Sequence, residues 1–231
     1  MTRIEIRRGD RHYPDSLEDL GDDAPDTLYC LGDPDVLNSR KCLGVIGARK
    51  FTPYGSSVAR RFSGWAAMRG VCIVSGAAMG CDQEAHRGAL EADGTTVAVL
   101  GCGADVVYPS GSATLLAEIQ HAGCVVSEFP WGMRPARWTF VRRNRLIAAL
   151  SNALLVVEAG LPSGTFSTAE MANDLSRTVL AVPGSIYAPE CRGTNRLLHQ
   201  GALIASEISD VAAVLGIETV GETHELAVET R

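Results

Sequence analysis

Three kinds of sequence feature are scarce in this chain of 231 residues, and each scarcity narrows the class of protein. No apolar run approaches the ~20 residues that a membrane-spanning helix requires. The first residues lack the apolar core of a signal peptide, so we expect a cytoplasmic protein with no membrane partner. None of the seven cysteines forms a C-x-x-C pair, so we expect small buried side chains rather than disulfides or metal ligands.

Lysine is scarce too, since only Lys41 and Lys50 occur, and nearly all positive charge is therefore arginine. The net charge of −6 argues against indiscriminate nucleic-acid binding. One segment differs, because residues 134–145 contain five arginines and no acidic residue. Arginine presents a planar fork to phosphates and stacks on bases, so this segment is a candidate binding site. A GC-rich genome explains the preference for arginine equally well.

The main feature that is present is a series of short apolar runs, most of which end in glycine-bearing loops. Continuous Val/Ile/Leu runs are typical of strands buried on both faces, as in a parallel sheet covered by helices. We expect strands at Leu43–Ile46, Val71–Val74, Val97–Leu100, Cys124–Val126, Leu154–Val157 and Val179–Val182. Helices are expected at Tyr54–Arg69, Asp82–Ala92, Ala113–Ala122, Arg143–Leu150, Ser167–Ser176 and Ser209–Leu215. The predicted fold class is α/β, with a doubly wound, mostly parallel sheet and helices on both faces.

The texture of the sequence divides the chain into three regions. Residues 1–40 are polar and punctuated by proline, and we expect an extension whose short strand near Leu28–Asp33 packs on the core. Residues 41–216 carry the regular α/β alternation and form the core. Residues 217–231 contain four glutamates among small residues and are expected to be a flexible acidic tail.

Loops at the carboxyl ends of parallel strands are where such sheets bind ligands. Gly47-Ala48-Arg49 is predicted to hold a phosphate, with Arg49 as the charge, although a tight turn with a solvated arginine fits equally well. Ser75-Gly76 begins a second thin loop, which leads to a helix start whose free N–H groups favour anions. Ser163-Gly164-Thr165 is predicted to be a third anion cradle, and a capping box of Ser167 and Glu170 explains part of that pattern.

Two further motifs suggest chemistry. Asp82 and His86 are four residues apart on one predicted helix face, as in an acid–base pair. No serine or cysteine nucleophile accompanies them, so a helix cap and a packed histidine are the favoured interpretation, with no catalytic residue and no metal site.

The second motif places an aromatic side chain next to several arginines, which is what single-stranded nucleic acid requires. Its members are Phe140, Arg142, Arg143, Asn144 and Arg145. If these residues begin a helix, their positive charge opposes the helix macrodipole, and this unfavourable placement supports a functional interpretation.

Together these motifs resemble DprA/Smf, the DNA-processing protein A family. The similarity extends over about residues 12–206, which is the Rossmann core alone. At Val141 the chain departs from the proline that is usual in the family. We expect a bare Rossmann core without the family's helical N-terminal domain and winged helix. The matching segments include Gly47-Ala48-Arg49, Ser75-Gly76, Asp82, Ala85-His86, Leu100-Gly101-Cys102-Gly103, Tyr108-Pro109, Arg143-Asn144-Arg145, Val157-Glu158-Ala159, Ser163-Gly164, Pro183-Gly184 and Gly193-Thr194-Asn195.

The resemblance implies a function and a set of site residues. It implies an extended Rossmann domain that binds and protects single-stranded DNA and assists loading of a RecA-type recombinase in natural transformation (competence) or recombination. It implies neither catalysis nor a cofactor. By position, the residues that match the family's DNA-binding pocket are Arg49, Arg137, Phe140, Arg143 and Asn144.

The resemblance also implies a homodimer, since family members dimerise. The candidate contact is apolar sequence near the end of the core, namely Leu197, Leu198, Leu203, Ile204 and residues 211–215. An equally good interpretation is that these residues complete the core. A different class of function remains open as well, namely a nucleotide-binding or phosphoribohydrolase enzyme of the related lonely-guy type. Residues 163–170 of this chain match the glycine–threonine loop of those enzymes in part.

Overall fold

The computed structural model describes residues 2–219, and within this range it contains one sheet of nine strands. The six strands predicted from apolar runs all exist, each within one residue of its expected ends. The strands are β1 (Arg3–Arg7), β2 (Thr27–Gly32), β3 (Cys42–Ile46), β4 (Cys72–Ser75), β5 (Thr96–Val99), β6 (Cys124–Ser127), β7 (Ala153–Val156), β8 (Thr178–Ala181) and β9 (Leu203–Ile204).

The order of the strands determines where a ligand site lies. It runs β1-β2-β6-β5-β4-β3-β7-β8-β9, and all neighbours are parallel except β1–β2 and β2–β6. The chain builds outward from β3 to β6 and then returns to place β7 on the other side of β3. The loops that follow β3 and β7 therefore diverge, and they open a crevice at the carboxyl edge of the sheet.

Helices cover both faces of the sheet, as the sequence predicts. Along β3, Leu43 and Val45 face the apolar cluster on one side of the sheet, whereas Cys42 and Ile46 face the cluster on the other side. This alternation is the period-two pattern of a strand that is buried on both sides. The helices are α1 (Pro53–Ala67), α2 (Cys81–Glu91), α3 (Ala113–Ala122), α4 (Arg137–Leu150), α5 (Thr165–Asp174), α6 (Arg192–His199) and α7 (Ile208–Leu215).

Helix α4 corrects the sequence-based prediction, because it begins at Arg137 rather than at Arg143. The helix start is fixed by Thr139, whose hydroxyl accepts a hydrogen bond from the Ala136 N–H (3.1 Å) and donates one to the Gly101 carbonyl (2.5 Å). The segment from Phe140 to Arg145 is therefore not a helix start. Of the arginines on α4, only Arg137 lies where its charge opposes the helix macrodipole. The later arginines leave the helix in different directions, about 100° apart per residue.

Two predicted caps are also wrong. Helix α2 begins at Cys81 without a side-chain cap, and the Asp82 carboxylate instead accepts a hydrogen bond from the Gly76 N–H (3.2 Å). Helix α5 begins at Thr165, where the Ser163 hydroxyl accepts from the Thr165 N–H (3.2 Å), so Ser167 and Glu170 form no capping box. The sequence pattern missed β1, β9 and α6, which have no apolar run as long as those of the predicted strands.

The N-terminal extension packs onto the core and contacts its loops. Arg3 on β1 forms an ion pair with Asp105 (2.6 Å), and Glu5 accepts a hydrogen bond from the Trp131 indole (2.9 Å). Of the predicted acidic tail, residues 220–231 lie outside the described residues. Within residues 2–219, no helix has the length and apolarity needed to cross a bilayer.

Candidate nucleic-acid interface

A pocket of about 790 Å³ lies in the crevice between the β3 and β7 loops. The loop at Gly47–Lys50 forms one wall, the loop at Gly160–Thr165 forms the opposite wall, and the first two turns of α4 form a third side. The pocket thus lies at the switch point that the strand order creates. Gly164 has open space where a side chain would stand, whereas Gly47 packs closely against Cys81 and Glu158, which leaves no room for a Cβ.

The pocket is cationic in a protein whose net charge is −6. Its lining includes five positively charged side chains and two carboxylates, so the local excess is three positive charges. The cations are Arg49, Lys50, Arg137, Arg143 and Arg192, and the acids are Asp82 and Glu190. All of the cations except Arg143 are exposed, and none of these four forms an ion pair with any residue in the range 2–219.

Arg143 forms the floor of the pocket rather than an open contact. It is 4% exposed, and its guanidinium donates to the carbonyls of Gly76 (2.8 Å) and Val99. Its Nε has no partner among the described residues. Burial lowers the pKa of Arg143, while Asp82 beside it favours the charged form. The arginine therefore fixes the loop after β4 in place and supplies field to the pocket from beneath.

Asp82 is a second buried ionisable residue beneath the pocket. Burial raises the pKa of the Asp82 carboxyl, and the Arg143 guanidinium opposes that rise. The carboxylate is engaged by the Gly76 N–H, so it holds the thin loop closed. His86 does not join it: the imidazole is fully buried, its Nδ1 lies 2.7 Å from the Thr96 hydroxyl, and burial lowers its pKa to about 3. The interpretation of His86 as a packed histidine is confirmed.

An aromatic pair borders one side of the pocket. The rings of Phe140 and Tyr108 have centroids 5.4 Å apart, and the guanidinium carbon of Arg49 lies 5.6 Å from the Phe140 ring centroid. Phe140 is half-buried, and Tyr108 is 39% exposed. A base that stacks here would find a flat apolar surface next to a cation.

The opposite wall presents hydroxyls and the start of α5. The Ser163 hydroxyl donates to the Thr165 hydroxyl (2.9 Å), and the Asn144 amide donates to the Ser167 hydroxyl (3.1 Å). These bonds orient the loop against α4, so the two walls of the pocket are connected. The N-terminus of α5 adds the partial positive charge of its helix dipole, and the Thr165 N–H there is already bonded to the Ser163 hydroxyl.

Ten of the fourteen residues predicted from sequence line this pocket. Gly76 lies in a smaller adjoining cavity, and Ser75 is fully buried and donates to the Val45 carbonyl. The ten are Gly47, Ala48, Arg49, Arg137, Phe140, Arg143, Asn144, Ser163, Gly164 and Thr165. Their role in binding DNA stays a prediction.

Arg142 and Arg145 are not brought to the pocket. Both face Glu128 on the loop after β6: Arg142 at 2.9 Å and Arg145 at 2.5 Å. Arg145 is 7% exposed and also donates to the Asp23 carbonyl, which ties the N-terminal extension to α4. These two arginines serve the packing of the fold, and sequence reasoning could not separate them from their neighbours.

The sequence reasoning also missed contributors to the pocket. Arg192 begins α6, a helix that the sequence analysis did not predict, and Lys50 follows directly after Arg49. Tyr108 and Asp82 also line the pocket, although the motifs that contain them did not predict this position. The loop after β8 also lies at the carboxyl edge of the sheet, where ligands bind. This position is the signal that could have indicated Arg192.

The fold and this pocket define a doubly wound α/β protein with a cationic site at its switch point. The model of the family described as DNA recombination-mediator protein A matches residues 5–216. The chain therefore belongs to that family.

Individual relatives agree with this assignment. A curated relative from Mycobacterium tuberculosis is 43% identical over 206 residues, which are 88% of this chain and 51% of that protein. The chain thus spans about half the length of the first curated relatives that it matches.

Two solved structures share the architecture. DNA processing protein A from Streptococcus pneumoniae has a TM-score of 0.86 at 34% identity, covering 92% of this chain and 74% of that one. DNA processing protein A from Helicobacter pylori has a TM-score of 0.84 at 30% identity, covering 93% and 96%. The second was described for its single-stranded DNA binding mode.

Proposed function

We propose that this chain binds single-stranded DNA in the switch-point pocket as part of DNA processing and recombination. One observation carries the proposal: four exposed cations line the pocket and have no acidic partner among residues 2–219. Unneutralised charge at a concave site concentrates a polyanion there, even when the net charge of the protein is negative. Membership of a family described as recombination mediators supports the same ligand.

The shape and chemistry of the pocket favour a single strand over a duplex. Phe140 and Tyr108 offer ring faces, and stacking on them requires unpaired bases. Ser163, Gly164 and Thr165 provide hydroxyls and N–H groups for phosphates on the other wall. A relative studied for single-stranded DNA binding has the same fold along nearly its whole length.

We extend the proposal to the partners of the strand. The bound DNA would be protected and then passed to a RecA-type recombinase, in natural transformation or in recombination. We place this activity in the cytoplasm. The site acts by binding and not by catalysis. In support, Glu158 is buried and accepts hydrogen bonds from the Thr52 N–H (3.0 Å) and hydroxyl (2.5 Å), so it positions a loop instead of facing the pocket.

A homodimer is part of the proposal, with a smaller contact surface than the sequence indicates. Leu197 and the α7 residues Val211 and Leu215 are buried in the core, so they are not available for a partner. Leu203 and Ile204 on the edge strand β9 are about half exposed and remain the candidates. Two pockets on one assembly raise avidity by about 10²–10⁴ when one strand reaches both.

The test compares ligands in one titration series. Labelled oligo-dT is titrated with the protein, with the same sequence as a duplex and a nucleoside monophosphate as competitors. We expect the single strand to bind most tightly, and we expect no release of base from the monophosphate. Tighter binding of the monophosphate would instead favour a nucleotide-binding site, and turnover that disappears in Glu170→Gln would favour the phosphoribohydrolase function.

A further inference from the structure

The loop between β8 and α6 presents two apolar side chains to solvent at the rim of the pocket. Tyr187 is 86% exposed and Ile186 is 73% exposed, and no other large apolar side chain among residues 2–219 is as exposed. Contiguous exposed apolar side chains on a protein surface mark candidate sites of contact with a ligand or partner. Neither residue lines the pocket already described.

The loop holds these side chains in a defined position. The Ser185 hydroxyl accepts a hydrogen bond from the Tyr187 N–H (3.2 Å), and the Ser185 carbonyl accepts one from Ala188 (3.1 Å). Asn195 on α6 bonds both the N–H and the carbonyl of Gly184, at 3.2 and 3.0 Å. The aromatic ring therefore projects from a braced turn, so little backbone freedom is lost when a ligand covers it.

The turn is continuous with the pocket. Pro189 and Glu190, two and three residues after Tyr187, line the pocket wall, as does Arg192. From the other side, the hydroxyl of the half-exposed Tyr54 reaches the Pro183 carbonyl (3.4 Å), so a second aromatic stands at the base of the same loop. A DNA strand that leaves the pocket past Arg192 would therefore run toward the loop that carries Tyr187.

We infer that Tyr187, with Ile186 beside it, is a base-stacking subsite for the part of a DNA strand that emerges from the pocket. This rests on the proposed function of the pocket. The strand would run from Phe140 and Tyr108 on one rim to Tyr187 on the other, with Arg192 at a phosphate between them. Alternation of flat rings with cations along one path is the pattern that tracks a single strand.

The experiment separates the subsite from the pocket by strand length. Affinities are measured for an oligo-dT just long enough to fill the pocket and for strands extended at either end. For the extended strands, Tyr187→Ala should weaken binding about 5- to 150-fold, the range for loss of one stacked base. For the short strand it should change affinity by less than about twofold. Tyr187→Phe should restore binding of the extended strand.

Matched controls identify what is lost. Met68→Ala removes another side chain that is 66% exposed, on the C-terminal end of α1, and should leave both affinities unchanged. An extended strand without bases beyond the pocket should bind the unaltered protein as weakly as the full strand binds Tyr187→Ala. The subsite is overturned if Tyr187→Ala weakens binding of the abasic strand as much as it weakens binding of the complete strand. It is also overturned if Tyr187→Ala does not weaken binding of the complete extended strand.

Failure of the subsite and failure of the pocket give different results. Arg49→Ala should weaken both strand lengths, because it acts within the pocket. If Arg49→Ala weakens binding and Tyr187→Ala does not, only the subsite is wrong; if neither variant loses affinity, the proposed function is wrong as well. If Tyr187→Ala instead lowers the mass in solution without changing DNA affinity, the loop is a contact between copies of the chain, and the inference is overturned.

Discussion

Helix α4 carries arginines in two contrasting situations. Arg137 at its start is exposed, faces the pocket and has no carboxylate within ion-pair distance among residues 2–219. One and two turns later, Arg142 and Arg145 share the Glu128 carboxylate. The charge of a side chain is the same in both places, but only the unpaired one contributes a field to an approaching anion. A count of arginines along a sequence therefore overestimates the charge available to a ligand.

The largest expected effect tests the paired set. Arg145→Ala leaves Glu128, whose side chain is 6% exposed, with only the half-exposed Arg142, and breaking a buried pair in this way costs about 3–5 kcal/mol of unfolding free energy. Arg142→Ala removes the exposed partner of the same carboxylate and should cost about 0–1 kcal/mol. Urea unfolding curves measure both. Equal losses of unfolding free energy in the two variants would show that the buried Arg145 and the exposed Arg142 contribute equally to stability.

The next effect tests the aromatic rim. Phe140→Ala should weaken oligo-dT binding by about 1–3 kcal/mol, because it removes a stacking surface. The same variant should lose less than the about 3–5 kcal/mol of stability that a fully buried phenylalanine loses, since Phe140 is half-buried. Thermal melts with and without oligonucleotide separate the two quantities. A full core-like loss of stability with unchanged affinity would place Phe140 in the packing alone.

The smallest effect tests the unpaired set and is read from salt dependence. Arg49→Ala and Arg137→Ala should each reduce the slope of log K against log salt by about 0.7, the value for one phosphate contact on a single strand. Arg142→Ala, already neutralised by Glu128, should leave that slope unchanged. If Arg142→Ala lowers the slope, or if Arg49→Ala and Arg137→Ala leave it unchanged, the paired and unpaired arginines do not differ in their contribution to binding.

The sequence predicted the sheet better than it predicted the site. Buried strands such as β7 carry their own signal, because both faces are apolar and the run ends at a glycine-bearing loop. The start of α4 carries none, since its position depends on a hydrogen bond from Thr139 to Gly101, far away in the chain. The same limit applies to Arg143 and Arg145, whose burial depends on Val99, Gly76, Glu128 and Asp23. Distant partners of this kind leave no local pattern.

All seven cysteines are buried, which gives the molecule a practical property for spectroscopy. Burial raises the pKa of the Cys81 thiol to about 12 and that of Cys102 to about 11, so both are poor nucleophiles toward a maleimide. A cysteine introduced at the exposed Met68, which does not line the pocket, would react with a dye far faster than the native thiols. A single fluorophore placed there would label the protein without altering the pocket or its rim, with no native cysteine needing replacement.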